Sequence, residues 1–326
     1  MTLSRRQVLR LFALLAGAKA LAAEKPKSGD NGIGGTGFKP ADNGIGGTGF
    51  IGTIRRFGSV WVNGARIAYP PDVRIRIDGE AAGAGALRIG QVARLVAEPR
   101  DGTWRTDGIV VVSEAVGPVS RIAGRSLELL GQRVQLAGAA MAHGLKVGDR
   151  VAVGGLRRPD QTIVASLIEK RAGGPDQIAG LLTEDGGAYR IGGQIVTGAV
   201  GGGVAGERVV ALGALENGVF VARTMKLDTI VTIGAVRNVS VEAWVSGQDG
   251  ALVTAGGLRV EGGAAGLPAG ARRIVIDGAL GANGALIASR IALPTRTRPS
   301  VAVAQLIVSR KCQGQMVNQI PATASA

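Results

Sequence analysis

Short apolar runs separated by glycine-rich turns dominate the chain after its first 50 residues. Between Val73 and Ile77, apolar residues alternate with Arg74 and Arg76, which is the two-residue period of a strand with one buried and one solvated face. No helical period persists beyond the first 22 residues. With 54 glycines and 46% hydrophobic residues, the pattern predicts an all-β protein with a packed core.

Three motifs recur in the same order along the chain. The first is a hairpin, clearest where Asn63-Gly64 separates two apolar runs, with matches at Gly131, Gly192 and Gly256. The second is a turn glycine before an apolar strand, found at Gly90, Gly148, Gly206 and Gly270. The third is a turn followed by a closing strand, beginning at Asp101, Asp160, Asn217 and Asn283. An ordered set of motifs at a fixed period indicates a repeated structural unit.

Each unit has room for five or six short strands, which suits a small closed antiparallel barrel similar in scale to an OB-fold. Closure removes the exposed sheet edges that invite aggregation. We therefore expect a string of four barrels rather than one large sandwich. The predicted organisation is a signal peptide (1–22), a Gly-rich duplicated linker (23–50), four β-barrel repeats (51–116, 117–176, 177–228 and 229–295) and a basic C-terminal tail (296–326).

The motif set resembles that of a bacterial family known as domain of unknown function 5666. Its members repeat a Val-Asn-Gly hairpin, found here as Val62-Asn63-Gly64, and a Leu-x-x-Gly-Asp-x-Val strand, found here at Leu145–Val151. The resemblance extends from Gly52 to Pro294, with the third and fourth units departing most from the pattern. It implies an exported protein with tandem repeats. It carries no activity and no site residues that transfer to this chain.

The first 22 residues have the order of an export signal. Arg5 and Arg6 precede a short apolar run, and Ala20 and Ala22 supply the small residues that a signal peptidase requires. The segment resembles the twin-arginine signal, and we expect cleavage before Ala23, with cleavage after Ala20 as the alternative. The predicted location is the periplasm or the exterior, reached by the twin-arginine or the general export route.

A nonapeptide, Asp-Asn-Gly-Ile-Gly-Gly-Thr-Gly-Phe, occurs at residues 30–38 and again at residues 42–50. Each copy satisfies the G-x-G-x-x-G pattern, but neither follows a strand and opens a helix, as a dinucleotide site requires. Two interpretations stay open. The segment is a flexible spacer, or it is a docking motif with Phe38 and Phe50 as anchors.

The formal net charge is +14, of which four positive charges lie in the leader. Such a surface attracts anions, and in an exported protein it favours anionic envelope components or another envelope protein over nucleic acid. We expect basic pairs such as Arg157-Arg158 to be solvated strand edges or contacts to those anions. The candidate binding surface combines the basic and aromatic residues of the first repeat: Arg55, Arg56, Trp61, Tyr69 and Trp104.

Residues that carry catalysis or bind metals are scarce. His143 is the one histidine and Cys312 the one cysteine, so the usual zinc ligand sets are missing. We expect no cofactor, no metal and no enzymatic activity. The predicted function is a non-catalytic binding or scaffold module of the cell envelope. The alternatives are an OB-like protein that binds nucleic acid or oligosaccharide, and an enzyme that uses carboxylates alone.

Overall fold

The computed structural model of the protein describes residues 47–136, 140–141, 144–228, 236–248, 251–262 and 270–294. The signal peptide, most of the Gly-rich segment and the C-terminal tail lie outside these residues, as do Phe38, His143 and Cys312. All described residues belong to one compact unit. Within them the regular structure is almost entirely strand, which confirms the predicted all-β class.

The strands build four small closed barrels in chain order. Barrel 1 contains β1 (Thr48–Thr53), β2 (Val60–Val62), β3 (Ala65–Ala68), β4 (Arg74–Ile77), β5 (Glu80–Ala82), β6 (Val92–Arg100), β7 (Thr103–Arg105) and β8 (Gly108–Val111). Barrel 2 contains β9 (Ala115–Ala123), β10 (Ser126–Leu129), β11 (Gln132–Gln135), β12 (Ala140–Met141), β13 (Arg150–Arg157) and β14 (Ile163–Lys170).

The other two barrels have five strands each. Barrel 3 contains β15 (Asp176–Asp185), β16 (Ala188–Ile191), β17 (Gln194–Gly198), β18 (Arg208–Glu216) and β19 (Val219–Leu227). Barrel 4 contains β20 (Asn238–Gln248), β21 (Ala251–Thr254), β22 (Arg259–Glu261), β23 (Arg272–Leu280) and β24 (Leu286–Ala292). Short 3-10 helices, Ala84–Ala86 and Val200–Gly202, precede the long strands β6 of barrel 1 and β18 of barrel 3.

If the two-residue strand β12 is left out of the count, strand order is the same in barrels 2, 3 and 4: the first strand pairs with the second, the second with the third, the third with the fifth, the fifth with the fourth, and the fourth with the first. In these barrels all pairings are antiparallel except that of the third and fifth strands, such as β11 with β14, and that of β12 with β14, which are parallel. Barrel 1 has two parallel pairings, β3 with β7 and β4 with β8. The predicted antiparallel pairing holds for the remaining pairs within each barrel.

Two of the recurring motifs have the backbone geometry that their glycines predict. Asn63 and Gly64 have positive φ angles of 52° and 83°, as a two-residue hairpin turn requires. The second-motif glycines Gly90, Gly148, Gly206 and Gly270 also have positive φ. In barrels 2 and 3 the amide of this glycine donates to a carbonyl within the first strand, as in Gly148 N to Val119 O at 2.8 Å, and in barrel 1 it donates to Ile54, the residue after β1.

Each barrel buries its own apolar core. Phe50, Val134, Phe220 and Ile274 are among the residues that fill barrels 1, 2, 3 and 4, respectively. Phe50 lies in β1, which starts at Thr48. The end of the predicted linker is therefore a core strand, and Phe50 is fully buried rather than an exposed docking anchor.

The barrels do not form an open string. β1 of barrel 1 pairs in parallel with β20 of barrel 4, and β9 of barrel 2 pairs with β15 of barrel 3. Barrel 1 also contacts barrel 2, where the Ser166 hydroxyl donates to the Gly90 carbonyl. Barrel 4 approaches barrel 3 so closely that a Cβ on Gly257 would lie 2.8 Å from the Gly206 carbonyl oxygen. The four barrels therefore close into a ring instead of lying in an open row.

Candidate binding cavity at the centre of the ring

A cavity of about 840 Å³ lies where the four barrels meet. Every barrel contributes charged or apolar side chains to its wall: Ile51, Val92 and Arg94 from barrel 1, Glu114, Leu156 and Arg157 around barrel 2, Glu207, Arg208 and Asp228 around barrel 3, and Val241, Glu242, Trp244, Leu258 and Arg259 from barrel 4. Glu207 and Arg259 are exposed, so the cavity reaches solvent on their side.

Glu114 joins barrels 2 and 3 on one side of the cavity. It lies between β8 and β9 and is 2% exposed. Its carboxylate accepts from Arg157 Nε at 3.0 Å and from Arg208 Nη2 at 2.6 Å. Arg157 is buried as well, and it also donates to the backbone carbonyl oxygens of Ala179 and Gln161. Each of these charge-assisted hydrogen bonds offsets part of the hydration that the carboxylate loses on burial.

Asp228 extends this network to barrel 1. Its Oδ2 atom accepts from Arg208 Nε at 2.8 Å and from Arg94 Nη2 at 2.9 Å. Arg208 is the first residue of β18 and Asp228 directly follows β19, and the Asp228 amide donates to the Arg208 carbonyl at 2.8 Å. The backbone of barrel 3 thus fixes both side chains opposite Arg94, so that one chain of ion pairs links three barrels.

Glu242 of β20 forms the junction between barrels 4 and 1. Its carboxylate accepts from Arg55 at 2.7 Å, from Arg273 at 2.9 Å and from the backbone amide of Thr53 at 2.8 Å. Arg273 also donates to the Thr53 hydroxyl at 2.8 Å. The Asn63 side-chain amide also donates a hydrogen bond to the Ser240 carbonyl across the same junction, at 3.0 Å.

Burial and ion pairing act in opposite directions on these groups. Burial alone would raise the pKa of Asp228, but Arg94 and Arg208 hold that pKa below its usual value. Glu242 behaves in the same way, with Arg273 and Arg55 lowering its pKa against the effect of burial. Both carboxylates are therefore ionised at neutral pH.

In the arginines, burial lowers the pKa and the neighbouring carboxylates raise it, and the balance differs from one arginine to the next. Burial lowers the pKa of Arg157 to about 10 despite the adjacent Glu114. Burial also lowers the pKa of Arg94, although Asp228 acts against it. Burial opposes protonation of Arg208 too, but Glu114 and Asp228 together raise the pKa of Arg208. Burial therefore outweighs the neighbouring carboxylates in the pKa of Arg94 and Arg157, but not in that of Arg208.

The first-repeat residues of the predicted binding surface do not form one surface. Trp104 is 6% exposed and packs edge-on against Phe50, with 5.3 Å between ring centroids. Tyr69 is half-buried against the core of barrel 1. Arg55 is turned to Glu242, as described above. Arg56 and Trp61 remain together at the surface, with the guanidinium 5.7 Å from the ring centroid.

The basic pairs also differ from the predicted solvated edges. In Arg157-Arg158 the first member is buried in the cavity wall, and the second lies 5.1 Å from the ring centroid of Trp244. Arg171 is paired with Asp78 at 3.1 Å. At least one member of each pair therefore contacts a neighbouring barrel: Arg157 donates to the Ala179 carbonyl of barrel 3, and Arg171 of the pair Lys170-Arg171 contacts Asp78 of barrel 1.

Sequence reasoning missed the ionised residues of the cavity, although a signal was present. Arg94 is a lone basic residue within the apolar run 92–97, and Arg208 follows the turn glycine of the second motif by two residues. A charge at a position that the pattern assigns to a core strand indicates a buried ion pair or a site. The partners Glu114 and Asp228 are distant in sequence and gave no comparable signal.

Several predicted residues lie outside the described part of the chain: Arg5, Arg6, Ala20, Ala22 and Ala23 of the leader. Among the described residues, no group of three or more histidine, cysteine, aspartate or glutamate side chains is arranged to hold a metal ion. In the same part of the chain, no helix has the length and apolar character needed to cross a membrane.

The comparison with known families adds one match, and it falls on barrel 2. Residues 116–169 match the family described as "Domain of unknown function (DUF5666)". The matched DUF5666 segment begins at the second residue of β9 and ends at the next-to-last residue of β14, so it coincides with one complete barrel. The expected resemblance is thus supported for barrel 2, and DUF5666 describes no activity. No curated protein matches the chain.

Proposed function

We propose that the chain is a non-catalytic binding protein of the bacterial cell envelope and that its ligand occupies the central cavity. The supporting observation is that all four barrels contribute to the wall of one cavity of about 840 Å³. Small-molecule sites typically measure about 300–1,000 Å³ and lie where domains meet. Buried ion pairs join barrel 2 to barrel 3, barrel 3 to barrel 1 and barrel 1 to barrel 4, so the wall is held in place and the site is preorganised for binding.

The state of the carboxylates favours binding over catalysis. General acid or base catalysis requires a titratable group with a pKa near the working pH and a free position toward substrate. Asp228 and Glu242 have lowered pKa values, and each accepts from two guanidiniums. This argues against the carboxylate-only enzyme as far as the cavity is concerned.

Placement in the envelope rests on the leader. The Arg5-Arg6 pair, a short apolar run and the Ala20-Leu21-Ala22 segment occur in the order of an export signal. To test the route, Arg5 and Arg6 are both changed to lysine, which keeps the charge but removes the twin arginines. We expect the variant to accumulate uncleaved in the cytoplasm and the natural sequence to appear cleaved in the periplasm. Equal export of both proteins would contradict the twin-arginine route, and a cytoplasmic natural sequence would contradict envelope placement.

The surface pair of Arg56 and Trp61 supports one alternative function, the binding of single-stranded nucleic acid or oligosaccharide. Arg56 and Trp61 provide a cation and an aromatic face, which single-stranded nucleic acids and sugars both use. Stacking by Trp104 is excluded because its ring lies in the core of barrel 1. Binding of a single-stranded oligonucleotide that weakens steeply with salt and is lost in Trp61→Ala would favour this alternative.

The binding proposal is tested with the mature chain, beginning at Ala23. The protein is mixed with lipid and soluble-glycan extracts of a bacterial envelope and analysed by native mass spectrometry. We expect a one-to-one complex from which the ligand is recovered chemically unchanged, and we expect Leu156→Trp, which fills the cavity, to abolish it. Absence of any complex, or recovery of a converted product, would contradict the proposal.

A further inference from the structure

The charged side chains that line the central cavity balance one another. Four arginines and four carboxylates line it: Arg94, Arg157, Arg208 and Arg259, and Glu114, Glu207, Asp228 and Glu242. The two other arginines that pair with Glu242, Arg55 and Arg273, lie outside this lining and are 24% and 22% exposed. The cavity therefore offers no net charge that would compensate an ionised ligand.

The buried carboxylates of the wall are already paired. Glu114 and Asp228 share the guanidinium of Arg208. Glu242 accepts from Arg55 and Arg273. A cation would have to displace a guanidinium from one of these carboxylates, and an anion would have to displace a carboxylate. Burying an ion without a partner is strongly unfavourable, so the wall selects against charged ligands.

Two buried hydrogen-bond donors of the wall have no partner. Arg94 Nη1 and Trp244 Nε1 are enclosed and make no hydrogen bond within the described part of the chain. Buried side-chain acceptors without a partner also occur among the described residues, but all belong to residues outside the cavity lining: Asn63, Gln132, Gln161 and Asp277. Buried polar groups in folded proteins are nearly always satisfied. The two donors therefore indicate a ligand that brings acceptor oxygens.

Apolar side chains from three barrels complete the wall. Ile51 and Val92 come from barrel 1, Leu156 from barrel 2, and Val241 and Leu258 from barrel 4. A ligand with an apolar body gains affinity in proportion to the apolar area that it removes from water. A small polar solute would leave this part of the wall uncovered.

From these three features, and resting on the proposed binding function, we propose that the central cavity binds an uncharged apolar molecule whose polar end carries carbonyl oxygens. Those oxygens accept hydrogen bonds from Arg94 Nη1 and Trp244 Nε1. The apolar body lies against Val92, Leu156 and Val241. Neutral acyl esters have this chemistry.

Three probes with the same alkyl chain test the requirement for an uncharged ligand. The mature chain is dialysed to equilibrium at neutral pH against methyl octanoate, octanoate or octyltrimethylammonium, and the bound probe is quantified. The methyl ester should bind at least about tenfold more tightly than either ion, because neither ion has a free counter-charge in the wall. Binding of either ion as tight as that of the ester would overturn the uncharged ligand.

The hydrogen-bond donor is tested at Trp244. Trp244→Phe removes Nε1 and keeps an aromatic ring, so it should weaken the methyl ester about three- to tenfold, the range of one hydrogen bond. Trp61→Phe is the matched control, since Trp61 lies outside the cavity lining, and it should leave the affinity unchanged. Equal affinity of Trp244→Phe and the natural chain would overturn the assigned contact with the carbonyl oxygen.

Two substitutions that fill the cavity test where the ester binds. Leu156→Trp and Ala243→Phe add volume to the wall from barrels 2 and 4. Each should weaken the methyl ester at least about tenfold, and thermal melting identifies the variants that keep the fold. Unchanged ester binding by a folded variant would overturn the assignment to the cavity.

The envelope extracts distinguish this inference from the proposed binding function. An extracted ligand that is ionised, and whose complex is abolished by Leu156→Trp, would leave the binding function standing and overturn the uncharged ligand. Absence of any extracted or synthetic ligand would overturn both.

Discussion

Removing the Glu114 carboxylate is the perturbation whose cost the structure defines best. Glu114→Gln keeps the shape of the side chain but deletes the charge that Arg157 and Arg208 share at 3.0 and 2.6 Å. It also turns an amide N–H toward a guanidinium. Because all three side chains are buried or nearly so, breaking such a pair should cost about 3–5 kcal/mol. For a unit of this size, that lowers the melting temperature by roughly 6–20 °C.

The assay is urea unfolding and thermal melting of the mature chain, with Glu128→Gln as the matched control. Glu128 pairs with Arg121 at 3.6 Å, but both side chains are exposed, at 43% and 68%. An exposed pair contributes only about 0–1 kcal/mol. If Glu114→Gln and Glu128→Gln unfold at the same urea concentration, the buried network does not stabilise the ring, and the reasoning is refuted.

Three further predictions concern other parts of the fold. Arginine contacts lower the pKa of Glu242 against the effect of burial. The contribution of the Glu242 carboxylate to stability is therefore complete above pH about 5 and is lost as the pH falls further. The urea midpoint of unfolding should decrease between pH 6 and pH 3, and it should decrease less in Glu242→Gln. Gly148 has φ of +90°, so Gly148→Ala should cost about 1–2 kcal/mol by urea unfolding, whereas Gly173→Ala, in open space without positive φ, should be near neutral. Phe50→Ala should cost about 3–5 kcal/mol by the same measurement, and Phe57→Ala, 42% exposed, less than about 1 kcal/mol; equal costs would contradict the core position of Phe50.

The barrels could be predicted from the sequence because their determinants are local. Asn63-Gly64 specifies a hairpin turn through two positive φ angles, and Gly148 specifies the turn before a long strand. Such signals act within a few residues, and the alternation of apolar positions then assigns the buried face. The all-β class and the small closed barrels follow from these features.

The ring and its cavity could not be predicted in the same way. The pairing of β1 with β20 joins residues 190 positions apart, and no turn or repeat signal specifies it. The ion-pair network also joins residues that are distant in sequence, since Glu114 and Arg208 are 94 residues apart. The net charge predicted a basic outer surface. Arg55, Arg94 and Arg157 instead form ion pairs with buried carboxylates between the barrels.

Ring closure between barrels 1 and 4 is the central claim, and one disulfide tests it most directly. Ile51 and Val241 are register partners on adjacent parallel strands, about 4.8 Å apart at Cα, which is within disulfide range. In a Cys312→Ser background, Ile51→Cys/Val241→Cys should oxidise to a monomer lighter by two hydrogens. Ile51→Cys/Ser246→Cys, displaced by five residues or about 16 Å, should remain reduced. Failure of the first pair to bridge, or bridging only between molecules, would contradict the ring.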